Sequence, residues 1–194
     1  MELYDPQGQR LYLTDNERQA FAKAANNADR DVRTFCLVLL HTGCRISEAL
    51  ELTPKSLDFS AQTITFRTLK KRGEKIVYRA VPVPPFLLDT LDLVHTIKAR
   101  QSKRIQHLIW DWSRTTAWRR VQEVMDKAAI ADGAHKCPKG LRHGYGVHAI
   151  TSNVPLNMLR KWMGHSSLEV TEIYANALGA EQHSIAARMW DNEP

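Results

Sequence analysis

The sequence predicts a mainly helical α+β domain built around one small antiparallel sheet. Apolar residues recur at helical spacing through most of the chain, and one stretch within residues 57–83 alternates apolar and polar side chains instead. No internal repeat or low-complexity segment interrupts this pattern. With 194 residues the chain is long enough to bury one substantial core, so one large domain, or a domain and a fragment of another, is expected.

The first two helices have clear start and stop signals. Thr14 and Glu17 form a capping box, which predicts a helix that ends near residues 26–27. The next helix carries an apolar stripe that runs into Gly43, a typical helix stop. The stripe is formed at i, i+3 and i+4 spacing by Val32, Phe35, Cys36, Leu39 and Leu40.

A helical turn and a hairpin follow this stop. Arg45 opens the turn, Glu48 comes three residues later, and a Thr-Pro pair ends the run. Strands are predicted within residues 57–83, where the segment ITFRTLKKRGEKIVYRAVPVP has the pattern of two strands joined by a basic turn. Lys70 and Lys71 stand at the end of the first of these strands, where a hairpin could reach over a bound backbone.

The C-terminal half is predicted to be helical. One helix is expected from about Pro85 to Ala99, followed by a loop in the segment QSKRIQHLIWDWS. Ser113 is expected to cap the next helix, whose buried face would consist of Trp118, Val121, Val124 and Met125. Three more helices are expected to carry Arg142, Trp162 and Tyr174, and a last one to carry Ile185, Met189 and Trp190.

Two segments of the C-terminal half combine residues suited to phosphoryl transfer. KGLRHGYGVH supplies Lys139 and Arg142, and GHSSLEVTEIY supplies His165 with Tyr174 nine residues later. A phenol among fixed cations can attack a phosphodiester and form a covalent phosphotyrosine. Taken singly, each residue has an ordinary structural explanation, such as a core tyrosine or an arginine paired with Glu48 at the surface. Their conjunction favours the chemical explanation.

Four boxes of this chain resemble those of the tyrosine recombinases, the phage-integrase family. They are TGCRISEAL, the basic hairpin, KGLRH, and GHSS followed by a tyrosine. The resemblance covers residues 14–190 and implies a recombinase catalytic domain with a small three-stranded antiparallel sheet. On this basis residues 1–13 are an N-terminal extension, residues 14–194 are the catalytic domain, and residues 178–194 form its tail helix.

The resemblance also implies roles for individual residues. The implied catalytic set is Arg45, Lys70, Lys139, Arg142, His165 and Tyr174, with Glu48 and His143 in support. Lys71 is an alternative to Lys70 as the catalytic lysine, and Lys139 stands where the family more often has a histidine. DNA contacts are expected from Lys71, Arg72 and Arg114.

These roles imply a site-specific DNA recombinase that cuts and rejoins strands through a covalent 3′-phosphotyrosine. Because the protein supplies the cations and the phosphotyrosine conserves the energy of the phosphodiester, no metal, cofactor or ATP is expected. Two alternatives stay open, a nicking and resealing enzyme similar to type IB topoisomerases and a DNA-binding regulator without activity. The expected partner is double-stranded DNA. The chain is expected to be a monomer in solution and a homotetramer on paired sites, with an accessory DNA-bending protein as a further candidate partner.

Composition agrees with a DNA-binding protein of a reducing compartment. A balance of 27 Lys and Arg against 21 Asp and Glu gives a formal net charge of +6, which favours a polyanionic partner. Three scattered cysteines without a CxxC pair predict neither a disulfide framework nor a zinc site. No apolar stretch approaches the ~18 residues of a membrane span, and the start of the chain has no signal-peptide pattern. The expected location is the cytoplasm, near the nucleoid, for a bacterial, phage or plasmid protein.

Overall fold

The computed structural model describes residues 2–68, 77–104, 107–165 and 169–176, and also residues 183, 186 and 187. The elements in chain order are α1 (Asp15–Asn26), α2 (Arg30–Thr42), α3 (Ile46–Leu50), β1 (Leu57–Asp58), β2 (Thr63–Thr68), β3 (Val77–Pro82), α4 (Pro85–His95), α5 (Ile97–Ser102), α6 (Arg114–Lys127), α7 (Pro138–Thr151), α8 (Leu156–Met163) and α9 (Glu169–Glu172). Short 3₁₀ helices cover Pro54–Ser56 and Ile173–Asn176. The predicted fold class, mainly helical with a small antiparallel sheet, is confirmed.

Some sequence-based predictions lie outside the described residues. Lys70, Lys71 and Arg72 belong to this group, and so does most of the tail helix predicted for residues 178–194. Within the described ranges, no helix combines the length and the apolar character that crossing a membrane requires.

The start of α1 and the end of α2 have the predicted caps. The Thr14 hydroxyl accepts a hydrogen bond from the Glu17 N–H at 3.3 Å, and the Glu17 carboxylate accepts one from the Thr14 N–H at 2.8 Å. Gly43 ends α2 with φ 59°, a left-handed conformation that glycine adopts without the steric cost of a side chain. Arg45 follows two residues later as the N-cap of α3. The end of α2 thus determines where Arg45 leaves the core.

The sheet is antiparallel with strand order β1-β2-β3. Its inner face buries Ile64, Phe66 and Val81. Phe66 pairs with Arg79 across β2 and β3, so Arg79 lies on this same inner face, and it too is buried. A charged side chain on the apolar face of a sheet needs partners that replace its lost hydration.

The helix predicted from Pro85 to Ala99 is wrong as a single element. α4 ends at His95, Thr96 adopts a left-handed conformation with φ 50°, and α5 begins at Ile97. α5 then continues to Ser102, into the segment predicted as a loop. Because the break falls at a β-branched residue instead of a glycine or proline, the sequence carries no local signal for it.

The predicted face of α6 is wrong at one position. Val121, Val124 and Met125 are buried as expected, but Ala117 joins them, and Trp118 is 44 % exposed. Positions three and four residues before Val121 both border it on a helix, so either could have completed the stripe. The packing of α6 on the core selects Ala117 and turns the indole of Trp118 outward.

Two apolar clusters hold the described part of the fold together. The larger one joins α1, α2, the sheet, α4 and α6. The smaller one lies between the N-terminal segment, α7 and α8, and contains Leu3, Tyr12, Leu159, Met163 and Tyr174. Tyr174, the predicted nucleophile, therefore packs as a core side chain in this conformation.

Candidate active site

A cleft of about 390 Å³ opens where the first turns of α3, α6 and α7 meet. Its charged lining consists of four cations, Arg45, Arg114, Lys139 and Arg142, and Trp118 provides an apolar wall. No carboxylate occurs among the described residues that line it. Because helix N-termini also carry partial positive charge, the cleft is suited to an anionic ligand.

Arg142 is the most firmly held of these cations. One of its terminal nitrogens donates to the Gly43 carbonyl at 2.6 Å, and the other donates to the Met163 carbonyl at 2.8 Å. The guanidinium thus joins the end of α2 to the end of α8. Burial lowers the pKa of Arg142 to about 10, with the charge of Arg45 adding to the effect, so the group remains cationic at neutral pH.

Arg45 is more open to solvent than Arg142. Its side chain is 41 % exposed, and its guanidinium donates to Glu48 Oε1 at 2.9 Å. The Arg45 backbone N–H donates to Glu48 Oε2 at 2.8 Å, which makes Glu48 the capping carboxylate of α3. Glu48 therefore orients Arg45 through both its backbone and its side chain.

Glu48 is a buried carboxylate with a second arginine on its other side. Arg79 binds both of its oxygens, with nitrogen–oxygen distances of 3.2 and 2.6 Å. Burial alone would raise the pKa of Glu48, but the hydrogen bonds and charge of Arg79, followed by those of Arg45, hold it below its usual value. Glu48 is consequently ionised at neutral pH.

Tyr174 lies in the 3₁₀ helix after α9 and is fully buried. Its hydroxyl is 3.3 Å from Nδ1 of His143, and its ring stacks on His165 with centroids 6.1 Å apart. Gly146 makes this position possible, because a Cβ there would stand 2.5 Å from the phenol ring. Burial raises the pKa of Tyr174 to about 12, although the charges of Arg142 and Arg45 act in the opposite direction.

Both histidines beside Tyr174 are neutral at neutral pH. Burial and then the charge of Arg142 lower the pKa of His165 to about 3, and burial followed by the charge of Lys139 lowers that of His143 to about 4. Nδ1 of His165 is 3.0 Å from the Thr171 hydroxyl. Nε2 of each ring has no hydrogen-bond partner among the described residues. In a neutral imidazole such a nitrogen accepts a hydrogen bond in one tautomer and donates one in the other.

The structure brings together, in two layers, those predicted site residues that it describes, which leaves out Lys70, Lys71 and Arg72. Arg45, Arg114, Lys139 and Arg142 face the cleft, with Glu48 beneath Arg45. Tyr174 lies behind them in the smaller core, with the His165 ring stacked on it and the His143 ring tilted against it. The sequence did not indicate that three further residues contact the site: Arg79, Trp118 and Thr171. A charged residue at an inward-facing strand position is the one signal that could have identified Arg79.

The chain belongs to the phage integrase family, whose sequence profile matches residues 11–181. A resolvase of Escherichia coli is 31 % identical over 179 residues, covering 77 % of this chain and 66 % of the relative. The tyrosine recombinase XerA of Thermococcus onnurineus (strain NA1) is 28 % identical over 151 residues, covering 73 % of this chain and 49 % of the relative. This chain therefore spans about half to two thirds of the length of these relatives.

A solved structure with the same fold is that of the XerH site-specific recombinase bound to difH substrate in a pre-cleavage complex. The two superpose with a TM-score of 0.72 at 19 % sequence identity, over 96 % of this chain and 59 % of that one. The recombinase catalytic fold that the four boxes implied is confirmed.

Proposed function

We propose that this chain is the catalytic domain of a site-specific DNA recombinase that cuts and rejoins strands through a covalent 3′-phosphotyrosine. The observation that carries the proposal is the convergence of Arg45 and Arg142 on one cationic cleft, close enough to Tyr174 for their charges to act on the pKa of its phenol. Family membership supports it, as does the similar fold of XerH, which is bound to a DNA substrate.

The chemistry follows from the charges of the cleft. In the proposed step the Tyr174 oxygen bonds to phosphorus, and the bond from phosphorus to the 5′-oxygen of the next nucleotide breaks. Negative charge gathers on the non-bridging oxygens, where Arg45 and Arg142 present planar donors that stay charged. The bound phosphate offsets the charges of Arg142 and Arg45 that help to hold the pKa of His165 low, and His165 then takes the phenol proton. The departing oxygen takes a proton from Lys70 or Lys139. A 5′-hydroxyl reverses the step and rejoins the strand.

Tyr174 has to leave its buried position before it can react. In the smaller core its pKa of about 12 keeps the phenol protonated, and the surrounding apolar side chains separate it from a duplex in the cleft. Burial raises the pKa of the phenol, whereas the charges of Arg142 and Arg45 lower it. Moving the hydroxyl out of the core toward these arginines is therefore expected to lower its pKa. We propose that DNA binding in the cleft favours this movement of Tyr174.

The proposed DNA-binding face is the cleft together with its rim. Arg114 and Lys139 neutralise backbone phosphates, and Trp118 offers a planar apolar contact to a sugar or base. Lys71 and Arg72 are proposed to extend this contact. We further propose a monomer in solution that forms a tetramer on paired sites, with an accessory DNA-bending protein. Sedimentation of the protein with and without duplex DNA tests the assembly.

Trapping the covalent complex tests the proposed function. Nicked duplexes from the DNA that flanks the gene, and a pool of randomised nicked duplexes, are incubated with the protein in the presence of EDTA. We expect a protease-sensitive DNA adduct with the wild-type chain and none with Tyr174→Phe, while Tyr78→Phe retains the adduct. Adduct formation by Tyr174→Phe would rule out this nucleophile, and its absence from the wild-type chain on both DNA sets would favour a regulator.

The fate of the cut strand separates recombination from topoisomerase-like activity. Supercoiled plasmids that carry two copies of a trapped site are incubated with the wild-type chain. A recombinase exchanges flanking markers, whereas a nicking and resealing enzyme relaxes the plasmid and leaves the markers in place.

A further inference from the structure

Arg79 is a buried arginine whose donors are distributed over three elements. From β3 its Nε donates to the Trp162 carbonyl of α8 at 2.7 Å. Its terminal nitrogens bind the carboxylate of Glu48 in α3, and one of them also donates to the Thr68 hydroxyl of β2 at 3.2 Å. Because its side chain is only 4 % exposed, Arg79 is in no position to contact DNA. It has to act through the residues that it holds.

The first of these residues is Glu48, which stands between two arginines. Arg45, Glu48 and Arg79 carry a combined charge of +1, and the exposed member of the three is Arg45 in the cleft. Without Arg79 the carboxylate of Glu48 would cancel the charge of Arg45 instead, because opposite charges at about 3 Å are strongly coupled when partly buried. Arg79 thereby leaves the charge of Arg45 available to a ligand.

The second contact of Arg79 is at the end of α8. Arg79 holds the Trp162 carbonyl, and Arg142 holds the next carbonyl along the chain, that of Met163. Gly164 follows directly, and a Cβ there would stand 3.0 Å from the Arg79 side chain. Two guanidiniums thus bind consecutive carbonyls at a helix C-terminus, where cations are favoured, immediately before His165.

We propose that Arg79 is a positioning residue of the active site, which holds Glu48 so that Arg45 presents a fixed guanidinium and an uncancelled charge to the scissile phosphate. This inference rests on the proposed recombinase function. Arg79 stands in the second strand of the basic hairpin, where the resemblance assigns it no role, and its pairing with Glu48 joins residues 31 positions apart.

The first part of the test measures single-turnover cleavage of a nicked duplex that traps the adduct. At saturating DNA we expect Arg79→Met to lower the cleavage rate between about 10- and 100-fold, because small displacements of a catalytic group have effects of this size. The dissociation constant for DNA is expected to rise less than about threefold, since Arg45 is one of four cations that line the cleft and Arg79 itself is buried away from the ligand. Arg79→Lys keeps the charge but loses the two-pronged hydrogen bonding of the guanidinium. Its cleavage rate is expected to lie between those of the wild-type chain and Arg79→Met, and it replaces Arg79→Met in the test if that variant does not fold.

The second part asks whether Arg79 acts through Arg45. In an Arg45→Ala background, Arg79→Met is expected to lower the cleavage rate less than about threefold further, so the two losses do not multiply. Arg79→Met with Glu48→Gln restores the net charge of the three residues and is expected to cleave faster than Arg79→Met alone. A role limited to stability would give losses that multiply and no such recovery.

Arg10→Met is the matched control, because Arg10 also makes a two-pronged ion pair, with Glu17, outside the cleft. It is expected to lower the melting temperature and leave the cleavage rate unchanged. Losses that multiply in the Arg45→Ala background, or cleavage by Arg79→Met at the wild-type rate, would overturn the inference for Arg79. If the wild-type chain forms no adduct, the proposed function and this inference fail together.

Discussion

Arg142 and Arg45, the two arginines proposed to bind the scissile phosphate, are each anchored by a partner whose chemistry suits its surroundings. Arg142 is buried, and its charge is held by two neutral carbonyls, which leaves that charge uncancelled. Arg45 is half-exposed and is held by a carboxylate that a third arginine already neutralises. At the scale of single residues, both anchors preserve the positive charge that a phosphoryl-transfer transition state requires.

Arg142 is expected to be sensitive even to lysine. Arg142→Lys cannot bind the Gly43 and Met163 carbonyls together and still face the cleft, because an ammonium is a single point of donation. We expect a loss of about 100-fold or more in the single-turnover cleavage rate, similar to removal of one transition-state donor. Trapping assays at saturating DNA measure this rate. Cleavage by Arg142→Lys at the wild-type rate would contradict the assigned role.

Gly146 is expected to control whether Tyr174 stays buried. A Cβ at residue 146 would lie 2.5 Å from the phenol ring, so Gly146→Ala has to displace Tyr174. The pKa of this phenol should then fall from about 12 toward the ordinary value of 10. Ultraviolet titration of tyrosinate measures this shift, and subtracting the Tyr174→Phe double variant assigns it. An unchanged titration curve would show that the backbone of α7 shifts to make room and that Tyr174 stays in place.

At the scale of elements, the ends of the helices build the cleft. α3, α6 and α7 direct their first turns toward it, and the last residues of α2 and α8 supply the carbonyls that hold Arg142. Helix interiors fill the core, and the first two turns of α6 contribute the exposed side chains of Arg114 and Trp118. Changes at helix ends should therefore affect the site more than changes in helix interiors.

Two left-handed helix ends give opposite predictions for stability. Thr96→Gly at the break between α4 and α5 removes a β-branched side chain at φ 50°, and is expected to raise the free energy of unfolding by about 0.5–1 kcal/mol. Gly43→Ala is expected to lower it by more than about 1 kcal/mol, because its Cβ would also stand 2.4 Å from the Tyr145 ring. Urea unfolding measures both changes in free energy, and changes of the same sign would contradict the prediction.

The two tryptophans Trp118 and Trp110 separate binding from stability. Trp118→Ala, at the exposed wall of the cleft, is expected to weaken DNA binding by about 1–3 kcal/mol and to leave the melting temperature nearly unchanged. Trp110→Ala removes a buried indole and is expected to cost about 3–5 kcal/mol of stability. Fluorescence anisotropy with duplex DNA and thermal unfolding provide the measurements. Unchanged DNA affinity for Trp118→Ala would remove it from the proposed contact surface.

At the scale of the whole molecule, the candidate nucleophile is part of what holds the fold together. Tyr174 shares a core with the N-terminal segment, α7 and α8, and two neutral histidines enclose its ring. Its release would therefore cost apolar contacts that a bound duplex has to replace. Stability and reactivity are thereby linked at one side chain.

The buried histidines predict that stability falls with acidification. In the unfolded chain both histidines bind a proton below their ordinary pKa of 6.5. In the folded chain they stay neutral to lower pH, because burial lowers the pKa of His143 to about 4 and that of His165 to about 3. The unfolded state is then favoured by about 1.4 kcal/mol per pH unit for each histidine. Urea unfolding from about pH 7.5 to about pH 5 should show this slope, and His165→Gln should reduce it. An identical slope in His165→Gln would contradict the prediction.

Much of the fold could be predicted because its signals are local. The capping box at Thr14, the stop at Gly43 and the alternation around Ile64 each depend on a few neighbouring residues, and the structure contains all three features. The break at Thr96 and the outward turn of Trp118 could not be predicted, since neither has a local signal in the sequence.

By itself the sequence determined the fold class, the family and the four cations that line the cleft, because short motifs carry that information. Only the tertiary structure decided that Arg79 binds Glu48 across 31 positions, and that Tyr174 packs on Gly146 with its pKa raised. Burial and the distances between charges set the charge state and reactivity of a side chain. Both quantities exist only after the helices and the sheet have packed.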